Sequence, residues 1–367
     1  MYVETQLLVN VMLALLVALV VSFLMTPVVK TFAYKVGAID VPKDNRRMHK
    51  VPIPRLGGLA IFIGFMVSIL LFVDIRSDPQ MQGILLGAVI IVVLGVVDDI
   101  MALPAMLKFV VQIAAALIPV MHGVRIQAIS NPNLFSDSLY WVLGGLSVPI
   151  TVLWIVGITN SVNLIDGLDG LANGVSAISA TTMLVIAILV SEGQVSLVMA
   201  ALVGACVGFM PYNMNPAKMF MGDTGATFLG FILATMSIQG LFKFYAVISF
   251  AVPFLILGLP LFDTAFAFIR RIAHGQSPMH ADRGHIHHRL IDMGLNQKQA
   301  VATLYVISAI LGLSAVVLTT SSELKAMMLF LTLCVAGAVA ARMALPHDHH
   351  EAEGKGKKNP FKKDGFE

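Results

Sequence analysis

The sequence predicts an all-α integral membrane protein of about eleven transmembrane helices, with its N-terminus outside and its C-terminus in the cytoplasm. Three observations carry that expectation. Of 367 residues, 57% are hydrophobic and only 12% are charged, where soluble domains run near half and a quarter. A mean hydropathy of +0.86 exceeds what one core can absorb, so lipid must solvate much of the surface. The apolar residues also gather into runs of bilayer length, and the basic residues fall unevenly between them. This composition excludes an ordinary soluble enzyme, a disordered chain and a coiled coil. It excludes a disulfide scaffold as well, because Cys206 and Cys334 both sit inside apolar runs.

A hydrocarbon core about 30 Å thick needs roughly 20 residues of helix. Runs near that length occupy approximately residues 7–29, 57–73, 82–97, 107–121, 140–158, 171–190, 195–212, 224–240, 246–269, 300–319 and 325–343. The first lacks a basic leader and a small-residue cleavage site, so it reads as a retained span. The fourth is short. The ninth carries Pro253, Pro260 and Asp263, so the bounds of these two runs are the least sharply marked, and Asp263 is set deep in the membrane. Between the fourth and fifth, the alternation of Val124, Ile126 and Ala128 suggests a small hairpin on the membrane face. From Pro346 the chain reads PHDHHEAEGKGKKNPFKKDGFE, too polar to fold. Residues 1–345 are therefore expected to form one membrane unit and 346–367 a disordered cytoplasmic tail.

Assigning alternate loops to opposite sides divides the 24 Lys and Arg residues 20 to 4. Only Arg76, Arg125, Lys243 and Lys325 fall on the poorer side. The positive-inside rule makes the richer side cytoplasmic.

Every notable polar cluster lies on that side. The clusters are RRMHKVPIPRLGG at 46–58, DDIMALPAMLK at 98–108, NSVNLIDGLDG at 160–170, NMNPAKMFMGDTG at 213–225 and HADRGHIHHRL at 280–290. Asp98 and Asp99 pair two carboxylates at a helix C-terminus, which the helix dipole disfavours and which suits Mg²⁺ and phosphate chemistry; solvated helix-end acids are the plain alternative. Asn160, Asn163, Asp166 and Asp169 recur every three residues, so a continuing helix would put four oxygen-bearing side chains on one stripe. Gly167 and Gly170 would let backbone approach a ligand. Asp223 precedes a helix and, on its own, reads as an N-cap. His285, His287 and His288 beside Arg283 and Arg289 suit a diphosphate or nucleotide better than zinc, whose ligands are usually better separated. Arg55, Gly57 and Gly58 fit either an anion-binding turn or simple helix-start punctuation.

The order DD, NxxNxxDGLDG, NPAKxFMGDTG and HxHH on cytoplasmic loops resembles the polyprenyl-phosphate N-acetylhexosamine-1-phosphate transferases over roughly residues 20–343. The histidine motif runs on as DRGHIHHRLIDMGL rather than into Phe and Glu. It is therefore similar to the branch acting on UDP-GlcNAc rather than the phospho-MurNAc-pentapeptide transferases of peptidoglycan synthesis, which stand as the alternative. The resemblance implies transfer of GlcNAc-1-phosphate from UDP-GlcNAc to undecaprenyl phosphate in the bacterial cytoplasmic membrane, as the first lipid-linked step of an envelope polysaccharide.

Site residues carry over as implications of that resemblance. Asp223 and Asn163 would hold Mg²⁺, with Mn²⁺ as a substitute. Asp98, Asp99, Lys108 and Asp166 would serve catalysis. Asn160, Asp169, Asn213, Arg283, His285, His287 and His288 would bind substrate, Asp169 at the uracil end. The DDIMALP motif lacks the third acid of a DDxxD form, so that role has no residue here. Expected partners are undecaprenyl phosphate, UDP-GlcNAc and membrane lipid, with a homodimer left open and no nucleic acid. The rival class is a divalent-ion transporter, which would want its charges near the midplane.

Overall fold

The computed structural model describes residues 5–42, 51–130, 140–240, 251–275 and 284–320, with a few positions between 328 and 337. Helix dominates because backbone polar groups in lipid must be satisfied within the segment. The first helix, α1 (Thr5–Val36), packs on α2 (Gly57–Phe72) and on α7 (Gly193–Asn213). Small residues permit this close approach. A methyl group on Gly204 or Gly208 of α7 would overlap the carbonyls of Leu15 and Leu19, the spacing of a small-xxx-small interface. Hydroxyls add to it: Ser22 Oγ donates to Ala205 O and Ser68 Oγ to Ala14 O, each at 2.8 Å.

The centre of the bundle is α8 (Gly222–Gly240), buried at every position from Thr224 to Gly240. Apolar and small residues all round it suit a helix enclosed on every side. Around it stand α2, α3 (Pro79–Met101), α5 (Ser147–Leu164) and α6 (Leu171–Leu189). Helix α4 (Ala105–Met121) lies against α3 and α5, and α12 (Gln297–Thr320) against α6. Six of the described helices, α1, α3, α5 with the turn before it, α6, α7 and α12, are long and apolar enough to cross a membrane. Two shorter apolar helices, α2 and α4, accompany them. Large side chains such as Leu70, Met121 and Leu153 face outward, as a lipid-solvated surface requires. The chain is a multi-pass all-α membrane protein.

Three expectations shift. The fifth run begins as strand, not helix: β3 (Ala128–Ser130) pairs antiparallel with β4 (Tyr140–Val142), and α5 starts only at Ser147. The hairpin exists, but Val124 and Ile126 lie before it, because Ile126 is tied to α5 through Thr151 Oγ1 and Ser147 Oγ. The ninth run is two helices, α9 (Ala251–Ile256) and α10 (Gly258–Ala273), parted at Leu257. Restarting at Gly258 places Pro260 in a first turn, where its missing N–H costs nothing. A buried i, i+4 stripe of Leu259, Asp263, Ala267 and Arg271 then faces inward, with Phe262, Phe268, Ile269 and Ile272 exposed. Most of the eleventh run, and the whole tail, lie outside the described residues.

A second hairpin was not foreseen. Strands β1 (Ile39–Asp40) and β2 (Ile53–Pro54) pair antiparallel, and the chain leaving β2 docks on the start of α8. Phe220 N donates to Pro54 O, Gly57 N to Phe220 O and Gly58 N to Met221 O. Gly58 must lack a side chain, because a Cβ there would overlap the backbone of Gly225. The amides of Gly57 and Gly58 are thus spent on the fold, and the anion-binding turn they suggested does not form.

Candidate active site

All five polar clusters meet at one cavity of about 570 Å³ at the α8 N-terminus. Arg55, Asp99, Asn163, Asp166, Asp169, Asn213, Asp223 and His288 are among its walls.

The α3–α4 turn stands behind the wall: Asp98 and Lys108 are not among the lining residues, and they reach the cavity through Asp223. At the end of α3 the Asp98 carbonyl accepts Ala102 N at 2.8 Å, and its Oδ1 accepts Leu103 N at 2.7 Å. Pro104 then opens α4, and one turn on Lys108 Nζ reaches back to Asp98 Oδ2 at 2.8 Å and across to Asp223 Oδ2 at 3.2 Å. Lys108 therefore sits between two carboxylates and holds both in place.

Asp99 points the other way. Its Oδ1 accepts Asp223 N at 3.1 Å, and its Oδ2 accepts Thr224 N at 3.0 Å and Thr224 Oγ1 at 2.7 Å. These are first-turn donors of α8 that have no partner within the helix. Gly222 makes the approach possible: it is left-handed, with φ +72°, and a side chain there would strike the Asp99 carboxylate. The N-cap reading of Asp223 is accordingly corrected. Asp223 is the second residue of α8, and the capping carboxylate comes from α3. Freed from capping, the Asp223 side chain is 36% exposed and lines the cavity, with Oδ1 accepting Asn163 Nδ2 at 2.9 Å.

The 160–170 stripe is not helical throughout. Helix α5 ends at Leu164, and Asp166 and Asp169 lie in the turn before α6. Asn163, Asp166 and Asp169 still line the cavity. Asn160 does not; its Nδ2 donates to Gln112 Oε1 at 2.7 Å and Val156 O at 2.8 Å. Burial, with the charges of Asp223, Asp99 and Asp169, pushes the Asp166 carboxyl up to about 8. Asp169 Oδ2 braces the neighbouring loop by accepting Asn215 Nδ2 at 2.9 Å and Ala217 N at 3.0 Å. Asn215 continues to Gln297 Oε1 at 2.7 Å, so α12 is tied to the same wall. Asn213 is buried, donating to Met219 O at 3.1 Å.

The histidines arrive on α11 (Ile286–Asp292). His285 Nδ1 donates to Asp263 Oδ2 and Ile286 N to Asp263 Oδ1, both at 2.7 Å. His287 is buried against Gly167, where any side chain would overlap its ring. That glycine therefore makes room for the histidine while also lining the cavity. Burial and the neighbouring His288 hold the His287 imidazole down to about 4. His288 lines the cavity. Arg283 lies outside the described residues.

Sequence reasoning missed Asp263, which it read as a deep intramembrane acid, and undervalued Arg55. The buried i+4 stripe on α10 was the available signal for Asp263. Nothing in the sequence paired it with His285.

Among the described residues no three His, Cys, Asp or Glu side chains close into a metal cage. Mg²⁺ is commonly held by one or two carboxylates with waters and substrate phosphates. Asp223 offers an accessible carboxylate, and Asn163 an amide at hydrogen-bond distance from it. These residues fit such an ion.

Comparison with known proteins follows the same lines. A family model described as "Glycosyl transferase family 4" matches residues 81–241. Over 316 residues, 86% of this chain and 86% of the relative, the sequence is 41% identical to the "Probable undecaprenyl-phosphate N-acetylglucosaminyl 1-phosphate transferase" of Bacillus subtilis. It is 31% identical over 335 residues, 82% of the chain and 80% of the relative, to the "Decaprenyl-phosphate N-acetylglucosaminephosphotransferase" of Mycolicibacterium smegmatis. It is 36% identical over 207 residues, 54% of the chain and 63% of the relative, to the "Phospho-N-acetylmuramoyl-pentapeptide-transferase" of Heliobacterium modesticaldum.

Proposed function

The chain belongs to glycosyl transferase family 4, and from that premise we propose that it transfers GlcNAc-1-phosphate from UDP-GlcNAc to undecaprenyl phosphate. A phosphate oxygen of the lipid attacks the β-phosphorus of the nucleotide sugar. The bridging P–O bond breaks, UMP leaves, and undecaprenyl-diphosphate-GlcNAc remains. The observation that carries this reading is the convergence of five sequence-distant polar clusters on one cavity, with Lys108 between Asp98 and Asp223.

The residues divide the work by placement. Lys108 holds Asp98 and Asp223 and is positioned to offset charge on transferring phosphate. Asp98, at hydrogen-bond distance from Lys108, is the base for the lipid phosphate monoester, whose second pKa near 6 makes this a small task. Asp99 fixes the α8 N-terminus. Asp169, Asn215 and Gln297 brace the far wall for the nucleotide, and His288 closes the opening towards the sugar. Asp223 and Asn163 would hold Mg²⁺, which when bound neutralises diphosphate charge. Catalysis is then chiefly positioning and electrostatics.

The polypeptide crosses the cytoplasmic membrane eleven times in this reading, N-terminus outside and C-terminus inside. The 20 to 4 division of basic residues supports it, as does the gathering of the polar clusters at one end of the bundle. A transporter would need its charged groups near the midplane; Asp263, the deepest acid by sequence, instead holds His285.

The test is UMP release by purified protein with undecaprenyl phosphate and a panel of UDP-sugars. Turnover with UDP-GlcNAc, abolished by EDTA and restored by Mg²⁺ or Mn²⁺, is expected. Equal or better use of UDP-MurNAc-pentapeptide would move the protein to the peptidoglycan branch.

A further inference from the structure

Arg55 has no part in the roles assigned above, yet it is the sole Lys or Arg among the described residues lining the cavity. Five aspartates, Asp40, Asp99, Asp166, Asp169 and Asp223, line the same space. The backbone around Arg55 is fixed on both sides. Its N–H donates to Ala38 O at 3.0 Å, and it bridges Phe220 as a parallel β-partner, between the bonds that Pro54 and Gly57 make to Phe220.

The side chain is half-exposed, and its ion pair with Asp99 is a loose one. Its Nε stands 3.9 Å from Asp99 Oδ1, too far for a hydrogen bond. Asp99 cannot turn to meet it, because both its oxygens already accept from the first turn of α8. The Arg55 Nε is sealed from solvent and has no acceptor. A buried donor without a partner is costly, and the half-exposed guanidinium on the cavity wall is placed to meet acceptor oxygens that arrive with a ligand.

We propose that Arg55 binds the phosphate or diphosphate group of a substrate in this cavity. The inference rests on the transferase reading for the substrate's identity, whereas the phosphate contact itself rests on the geometry. Two sources share this chemistry, the diphosphate of UDP-GlcNAc and the phosphate of the lipid.

Full-length protein carrying Arg55→Ala and Arg55→Lys separates them. Rates are measured while each substrate is varied, and binding of pyrophosphate in magnesium buffer is measured calorimetrically. Arg55→Ala should lower kcat/KM at least thirtyfold through the KM of the substrate whose phosphate it holds, and weaken pyrophosphate binding about tenfold. Arg55→Lys should recover part of both losses, since it keeps charge but loses the planar fork. The substrate whose KM rises identifies the source. The proposal is overturned if Arg55→Ala leaves both KM values and pyrophosphate affinity within twofold of wild type, or if lost activity tracks only lost folded protein while the remainder binds pyrophosphate normally. Should the wild-type protein release no UMP, the transferase reading fails, and the pyrophosphate measurement still decides the role of Arg55.

Discussion

The carboxylate of Asp99 at the end of α3 receives both the backbone N–H and the hydroxyl of Thr224 in the first turn of α8, at 3.0 and 2.7 Å. One buried acid thereby fixes the start of the central helix, and the next acid, Asp223, is presented to the cavity. Asp99 and Asp223 should consequently fail in different ways. Asp99→Ala removes a cap and leaves buried donors unsatisfied, which costs about 1–3 kcal/mol, so both melting temperature and turnover should fall. Asp223→Asn should cost at least about a hundredfold in rate while helix content and melting temperature stay near wild type. Circular dichroism melts beside UMP-release rates check this. Near-normal turnover of Asp223→Asn would show that its carboxylate is dispensable.

Asp263 and His285 form a second relationship of this kind. With Nδ1–H given to Asp263, His285 presents Nε2 as its free nitrogen, and the same carboxylate holds the first amide of α11. Asp263→Ala should release α11 and carry His288 from the cavity wall, lowering kcat/KM at least tenfold. Asp263→Asn, which keeps one acceptor, should lose less. Hydrogen exchange supplies the independent readout: α11 amides should exchange faster in Asp263→Ala while those of α8 are unchanged.

The polar clusters and most span positions were legible because each is a local pattern: a run of bilayer length, a pair of acids, a repeated spacing. What was hidden is pairing across the chain. Asp223 read as an N-cap because acids before helices usually are, and only packing reveals that Asp99, 124 residues earlier, supplies the acceptor. The ninth run failed for a different reason. Its composition is that of a span, and a break at one residue leaves the average hydropathy unchanged while turning α10 so that Asp263 faces His285. Asn160 shows the converse: its spacing matched the site, but the last full turn of α5 aims it at Gln112.

His287 makes the histidine element sensitive to acid. Its imidazole is 3% exposed, and burial lowers its folded pKa to about 4 from the ordinary 6.5. The folded state therefore stays unprotonated where the unfolded segment takes up a proton. Stability is full above about pH 6.5 and declines as pH falls towards 4, by on the order of 3 kcal/mol at most. Hydrogen exchange of α11, corrected for intrinsic rates, should show less protection at pH 5 than at pH 7.5. His287→Phe, which cannot be protonated, should flatten that dependence. Equal protection at both pH values in the wild type would show that the buried imidazole is not the acid-sensitive element.

Gly167 and His287 should behave as one unit. The turn after α5 runs so close to the His287 ring that a methyl group on Gly167 would overlap Nε2. Backbone on one side and a buried ring on the other leave little room to yield, and overpacking of this kind typically costs about 1–3 kcal/mol. Gly167→Ala should therefore displace either α11 or the turn bearing Asp166 and Asp169, and turnover should fall at least tenfold. His287→Ala removes the ring and opens the space that the new methyl needs. If the clash is the cause, the double variant should be less impaired than the two single losses combined, with a coupling of at least about 0.5 kcal/mol. Strictly additive losses, in rate and in melting temperature alike, would mean that Gly167 is required for something other than the histidine, such as direct backbone approach to substrate.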